Sequence, residues 1–186
     1  MHGVLTKVNY LGTPDEWAQI TFSEASANPV FYCKKLYTNG EKVVNLVLSV
    51  PVISEYAFFD CDSIETLTLA EGVTHIGKSA FEAVNTLTGY NGDYTYYFTS
   101  LVLPSTLVYI GHSAFRYCAN INTLFIPTSV EYIGPYAFAN CIKLSKINFG
   151  GEMAEWENRH LGTGWNYLAK AVTLQCTNGS LSLEKN

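Results

Sequence analysis

An Ile, three residues, then Ala-Phe: this phrase occurs four times, as Ile53…Ala57-Phe58, Ile76…Ala80-Phe81, Ile110…Ala114-Phe115 and Ile133…Ala137-Phe138. The pairs beginning at Ala57, Ala80, Ala114 and Ala137 stand 23, 34 and 23 residues apart, and the middle interval is one period plus 11. A period in the twenties leaves a chain little choice of architecture. No single repeat can bury its apolar face alone, so neighbours stack into one continuous core.

In register, a repeat reads Ala-Phe-x-x-Cys-x-x-Leu-x-x-Leu-x-Leu-x-x-x-Val-x-x-Ile-Gly. Its strand portion recurs as Ile64-x-x-Leu67-x-Leu69, Phe98-x-x-Leu101-x-Leu103, Ile121-x-x-Leu124-x-Ile126 and Leu144-x-x-Ile147-x-Phe149. Val43-x-x-Leu46-x-Leu48 and Leu5-x-x-Val8-x-Tyr10 fit the same frame. Alternation over the last two apolar positions predicts a short strand with one face buried. The expected fold is an α/β solenoid, with short parallel strands in a curved sheet on one side and turns or short helices opposite. Pro104 and Pro127 follow their strands, where ladder pairing has ended and a missing N–H is harmless. Gly77, Gly111 and Gly134, directly after the register Ile, are expected to permit a tight bend.

The same frame separates surface from core. Asn45, Val47, Thr66, Thr68, Ser100, Val102, Thr123, Phe125, Lys146 and Asn148 flank the inward positions and should face outward along the sheet. Solenoids use such extended faces for binding. A merely solvated Thr/Asn sheet is the plainer reading, and Phe125 fits it least. The candidate surface on the sheet is Thr68, Val102, Thr123, Phe125 and Lys146. The 11-residue insertion, near residues 88–98, carries Tyr90, Tyr94, Tyr96 and Tyr97 around an Asn91-Gly92 hairpin signal. These rings either take part in binding, by stacking on a sugar or packing on a protein, or fold back over the solenoid edge.

A second, longer duplication frames the repeats. Leu5-Thr-Lys-Val-Asn-Tyr-Leu-Gly-Thr-Pro-Asp-Glu-Trp17 aligns without gaps on Leu144-Ser-Lys-Ile-Asn-Phe-Gly-Gly-Glu-Met-Ala-Glu-Trp156, an offset of 139. At that offset Thr38-Asn39-Gly40 falls on Thr177-Asn178-Gly179, a turn between two strands. The expected organisation is an N-terminal cap or spacer unit over 1–42, repeats over 43–149, and a C-terminal cap unit over 150–186. Trp17 and Trp156, each on a short predicted helix, are read as core residues that cover the ends of the stack. A chain opening in mid-unit is expected to be a piece of something longer.

Of the five cysteines, Cys61, Cys118 and Cys141 share the position three after the register Phe, where the remaining repeat has Val84. A site that accepts Cys or Val is small, buried and apolar. The odd count and the absence of CxxC argue against a disulfide framework or a zinc site. Lys and Arg number 11 against 16 Asp and Glu, a net charge of −5, without a basic cluster; nucleic acid is not an expected partner. No run approaches the ~20 apolar residues of a membrane span, and the N-terminus lacks a signal-peptide pattern. No cofactor motif is present, and His2, His75, His112 and His160 look unrelated in register. Ser113 beside His112 lacks an orienting third group, and Asp60, Asp62 and Glu65 are too few for calcium. An enzyme is not expected.

The stretch Ala114 to Gly134, Ala-Phe-Arg-Tyr-Cys-Ala-Asn-Ile-Asn-Thr-Leu-Phe-Ile-Pro-Thr-Ser-Val-Glu-Tyr-Ile-Gly, resembles the BspA-like leucine-rich-repeat family. The resemblance covers nearly the whole chain, with Val84 and the insertion as departures. It implies a bacterial protein that is secreted or held at the cell surface, in some members adhering to host proteins or other bacteria. It supplies no catalytic residues. The function it favours is a non-enzymatic module binding a protein or carbohydrate at the cell surface. The alternative is a structural spacer presenting another domain.

Overall fold

In the computed structural model, residues 4–83, 101–167, 169 and 172–183 are described. The N-terminal unit runs β1 (Val8–Tyr10), α1 (Pro14–Ala18), a 3-10 turn at Ala25–Ala27, α2 (Val30–Cys33), β2 (Leu36–Thr38) and β3 (Glu41–Lys42). Helix α1 starts where its sequence says it should. Thr13 accepts the Glu16 N–H, the Glu16 carboxylate accepts the Thr13 N–H, and Pro14 opens the first turn.

The repeats follow as β4 (Asn45–Leu48), β5 (Val52–Ile53), β6 (Thr66–Leu69), β7 (His75–Ile76), β8 (Leu101–Val102), β9 (Tyr109–Ile110), β10 (Thr123–Ile126), β11 (Tyr132–Ile133) and β12 (Lys146–Phe149). The C-terminal unit adds α3 (Met153–Glu157), β13 (His160–Leu161), β14 (Val172–Cys176) and β15 (Gly179–Leu183). The predicted parallel sheet is present in three blocks, β1-β2, β4-β6-β8 and β10-β12-β14, with β3 closing the first and β15 the last antiparallel. Leu46, Leu67, Leu101, Leu124, Ile147 and Leu174 point inward along it and are buried.

A second sheet was not anticipated. Two-residue strands pair in parallel in the order β13-β11-β9-β7-β5, one from each coil, around the Ile of the Ile-Gly step. Strands this short carry no alternation for a sequence reading to catch.

The Ala-Phe turns form a third line of coil-to-coil contact. Phe58 N–H donates to the Ala80 carbonyl, Phe81 to Ala114, Phe115 to Ala137, and Phe138 to Trp165, at 2.7–2.9 Å. The four Phe rings stack in one buried row, centroids 5.3–5.4 Å apart and nearly coplanar in tilt. A single apolar cluster runs from Trp17 to Cys176. All five thiols are free and buried. Cys118 and Cys141 each donate to the Phe carbonyl of the preceding coil, Phe81 at 3.4 Å and Phe115 at 3.3 Å.

The register glycines serve a different end from the expected bend. None of the three has positive φ; a Cβ on Gly111 would stand 2.7 Å from the Gly77 carbonyl carbon and 2.8 Å from the Ile76 oxygen. Glycine is there because one coil's backbone lies against the next. The left-handed bend falls two residues later, on Ser79, Ser113 and Tyr136, and at the matching Tyr56, with φ between 51 and 59°. The 139-residue alignment also needs a one-residue correction at its end. Strand pairing equates Leu36 with Leu174, because they face Val8 and Ile147, so the hairpin tips are Asn39-Gly40 and Thr177-Asn178.

Candidate binding surfaces

Outward positions on the wide sheet line up in two rows. Val47, Thr68 and Val102 are cross-strand neighbours, and Phe125, Asn148 and Gln175 continue the row on the last block. Strands β8 and β10 adjoin where these two blocks meet. The other row joins Asn45 to Thr66, and Thr123 to Lys146 and Thr173. Thr66 hydroxyl donates to Asn45 Oδ1 at 2.8 Å, a small polar ladder on the outside of the sheet.

All five sheet candidates are exposed: Thr68, Val102, Thr123, Phe125 and Lys146. The structure brings Thr68 and Val102 together, pairs Thr123 with Lys146, and sets Phe125 between these groups. Val47, Val102 and Phe125 leave 58%, 59% and 50% of their surfaces in solvent. Phe125 Cζ lies over Gly150, close enough that a Cβ there would sit 3.2 Å away. On the described outward positions of β4, β6, β8, β10, β12 and β14, Lys146 is the sole charge, so this face is apolar and hydroxyl-bearing with little to repel a partner. Tyr90, Tyr94, Tyr96 and Tyr97 lie outside the described residues.

The narrow sheet carries a column that sequence reasoning missed: Val52, His75, Tyr109, Tyr132 and His160, each immediately before its Ile or Leu. His75 and His160 therefore share one register, contrary to the expectation that the histidines are unrelated. The missed signal was Leu161-Gly162, a fifth copy of the step after Ile53-Ser54 and the three Ile-Gly pairs. His75 stacks on Tyr109 at 5.7 Å, and Tyr109 on Tyr132 at 4.8 Å. A shallow cleft of about 350 Å³ opens beside the column, lined by Thr21, Val52, Glu55, His75 and Tyr109 among others. Burial, then Tyr132 and Glu55 nearby, push the Tyr109 hydroxyl above its ordinary value. Stacked in this way, the rings cover one another's faces.

On the turn side the ionisable groups tie coils together. Glu82 is pushed up by burial, opposed by a 2.6 Å hydrogen bond from Ser79 and by Arg116 at 3.4 Å. Arg116 also lies over the Tyr117 ring, 4.7 Å from its centroid. Asp60 pairs with Lys34. Among the described residues, no three His, Cys, Asp or Glu side chains gather as a metal site. No helix among them is long and apolar enough to cross a membrane.

Coils of this length, with an inward Leu frame, parallel strands on two sides and a stacked Phe row, define a leucine-rich-repeat protein. Residues 90–162 match the BspA type leucine rich repeat region, in 6 copies, so this repeat region is of the BspA type. A crystal structure of a leucine-rich-repeat protein of T. pallidum is similar at 20% identity and a TM-score of 0.45, over 68% of this chain and 65% of that one. A leucine-rich-repeat protein from Bacteroides ovatus is similar at 15% identity and a TM-score of 0.26, over 73% and 60%. The chain thus spans less than two thirds of either. No curated protein matches it.

Proposed function

We propose that this chain is a non-enzymatic binding module, secreted or held at a bacterial cell surface, that engages a protein or glycan through its wide sheet. The leucine-rich-repeat architecture is a protein-interaction scaffold, which supports the general class. The observation that carries the reading is the exposed row Val47, Thr68, Val102 and Phe125, with Thr123 and Lys146 beside it. An aromatic anchor among β-branched and hydroxyl side chains suits a hot spot with a polar surround. Tyr90, Tyr94, Tyr96 and Tyr97 are proposed as a second part of the surface.

Arrays of glycans and extracellular-matrix proteins, probed with the chain, test this. The double change Val102→Ser and Phe125→Ser is expected to weaken any captured ligand by about tenfold or more while leaving Tm nearly unchanged. Unaltered capture by that variant rules out the sheet face. The alternative, a spacer presenting another domain, is favoured by the near-duplicate units at the two ends. It predicts that no array ligand depends on this face.

A further inference from the structure

The two near-duplicate units carry the same buried amide and indole in different surroundings. Within the repeats, each Ala carbonyl accepts the Phe N–H of the preceding coil. The first such carbonyl, on Ala57, has no preceding Phe. The N-terminal unit fills that place with side chains: the Trp17 indole donates at 2.7 Å and the Asn28 Nδ2 at 3.0 Å, with Nδ2 also 2.8 Å from the Tyr56 carbonyl. Asn28 is fully buried, and its Oδ1 accepts the Val30 N–H at 2.9 Å.

The C-terminal unit holds the same two donors in the same places. Trp156 follows Ile147 at the spacing by which Trp17 follows Val8, and Asn166 precedes Leu174 at the spacing by which Asn28 precedes Leu36. Because Phe138 N–H donates to Trp165, Asn166 also sits in the Phe register of the turn ladder. Only 3% of Asn166 reaches solvent, yet its Oδ1 meets no partner. Neither its Nδ2 nor the Trp156 indole donates to any acceptor among the described residues. Asn28 Oδ1 is satisfied inside its own unit, so what differs between the two ends is the pair of donors, Nδ2 and the indole, which at the C-terminal end lack the carbonyls that Tyr56 and Ala57 supply at the other. On the sheet side, Leu181 opposite Leu174 takes the place of Val43 opposite Leu36. Val43 is 5% exposed and Leu181 45%.

We propose that the C-terminal end of the solenoid is a seat for one further leucine-rich-repeat coil of this same type, held in line. The Asn166 amide and the Trp156 indole would receive the carbonyls of its Ala-Phe turn, as Asn28 and Trp17 receive Tyr56 and Ala57, and Leu181 would be covered. A second copy of the chain does not fit this seat, because its own Trp17 and Asn28 already occupy its first carbonyls. The proposal stands apart from the sheet-face reading: a ligand on the wide sheet neither requires nor excludes it.

A tandem fusion tests it, with Ser182 followed directly by Asn45 of a second copy so that the spacing from Asn28 to Asn45 is reproduced after Asn166. The fusion is expected to fold throughout and melt in one transition. Asn166→Ala should lower that Tm by about 4 °C or more, or split the transition, while leaving the unfused chain unchanged or more stable. Asn28→Ala in the unfused chain is the matching control and should lower its Tm. An appended copy that stays unfolded or melts independently overturns the proposal, and so does an Asn166→Ala effect that is absent from the fusion or equal in both chains. A dimer of the unfused chain that Asn166→Ala abolishes, read by sedimentation, would assign the seat to a different occupant and overturn it too.

Discussion

Two rows of stacked rings cross the repeats of this molecule, one inside and one outside. Inside, Phe58, Phe81, Phe115 and Phe138 stack at 5.3–5.4 Å with tilts of 2–10°. Outside, His75, Tyr109 and Tyr132 stack at 5.7 and 4.8 Å with tilts of 23 and 5°. The spacing is alike because both rows inherit it from parallel pairing, which sets neighbouring coils ~4.8 Å apart. What differs is burial: Phe115 and Phe138 see no solvent, whereas Tyr109 and Tyr132 are half-buried and His75 is exposed. Similar geometry therefore need not mean similar energy. A stacked pair adds about 0.5–1.5 kcal/mol beyond burial, while truncating a buried Phe costs about 3–5.

The largest effect follows from the inner row. Phe115→Ala removes the ring between Phe81 and Phe138 and leaves a cavity that the coil spacing cannot close, because backbone ladders hold it on three sides. Its expected cost is about 3–5 kcal/mol in urea unfolding. A loss below about 1 kcal/mol would mean that the coils collapse around the gap, and the distinction between the rows would fail.

The thiols beside the inner row sharpen the contrast through pH. Burial pushes Cys61 up to about 11, Cys141 up to about 12, and Cys118 well above the ordinary thiol range. Unfolded thiols ionise near ~8.5. Above that pH and up to the raised values, the unfolded chain has released protons that the folded chain keeps. Stability should be flat in these groups below pH ~8 and then fall by about 1.4 kcal/mol per pH unit for each such thiol. Cys141→Val, the exchange already present in sequence at Val84, should remove one thiol's share of the slope. Unfolding midpoints that do not move between pH 8 and 10 would show that the thiols are not held protonated.

The sequence reveals these features unevenly. A strict period of two makes Val102, Phe125 and the other outward residues readable, since each lies between two inward apolar positions. The buried Phe and Cys registers are equally plain, because they repeat at fixed spacing. Gly111 could be located but not explained: its role is contact with Gly77 one coil away, which no local rule encodes. The narrow sheet was hidden because two residues cannot show alternation, and its histidines escaped notice because Leu161 replaces Ile. Asn166 was the hardest to see. Nothing in its neighbourhood distinguishes it, and its meaning comes only from how Asn28 is used 138 positions earlier.

The smallest effect belongs to the outer row. Tyr109→Ala removes a half-buried ring from between His75 and Tyr132, but solvent can occupy the space it leaves, so the cavity penalty of the inner row is absent. The expected cost is about 0.5–1.5 kcal/mol, the value of the stacking itself. Tyr109→Phe keeps the stack and should restore most of it. Tyr132→Ala alone, and the double change with Tyr109→Ala, complete a cycle that isolates the coupling between the rings. If that coupling is near zero, the outer rings stack only because the coils bring them together, and the column is left free to serve the cleft beside His75. If it exceeds about 1 kcal/mol, the outer row helps to hold the coils together, and its rings are committed to one another.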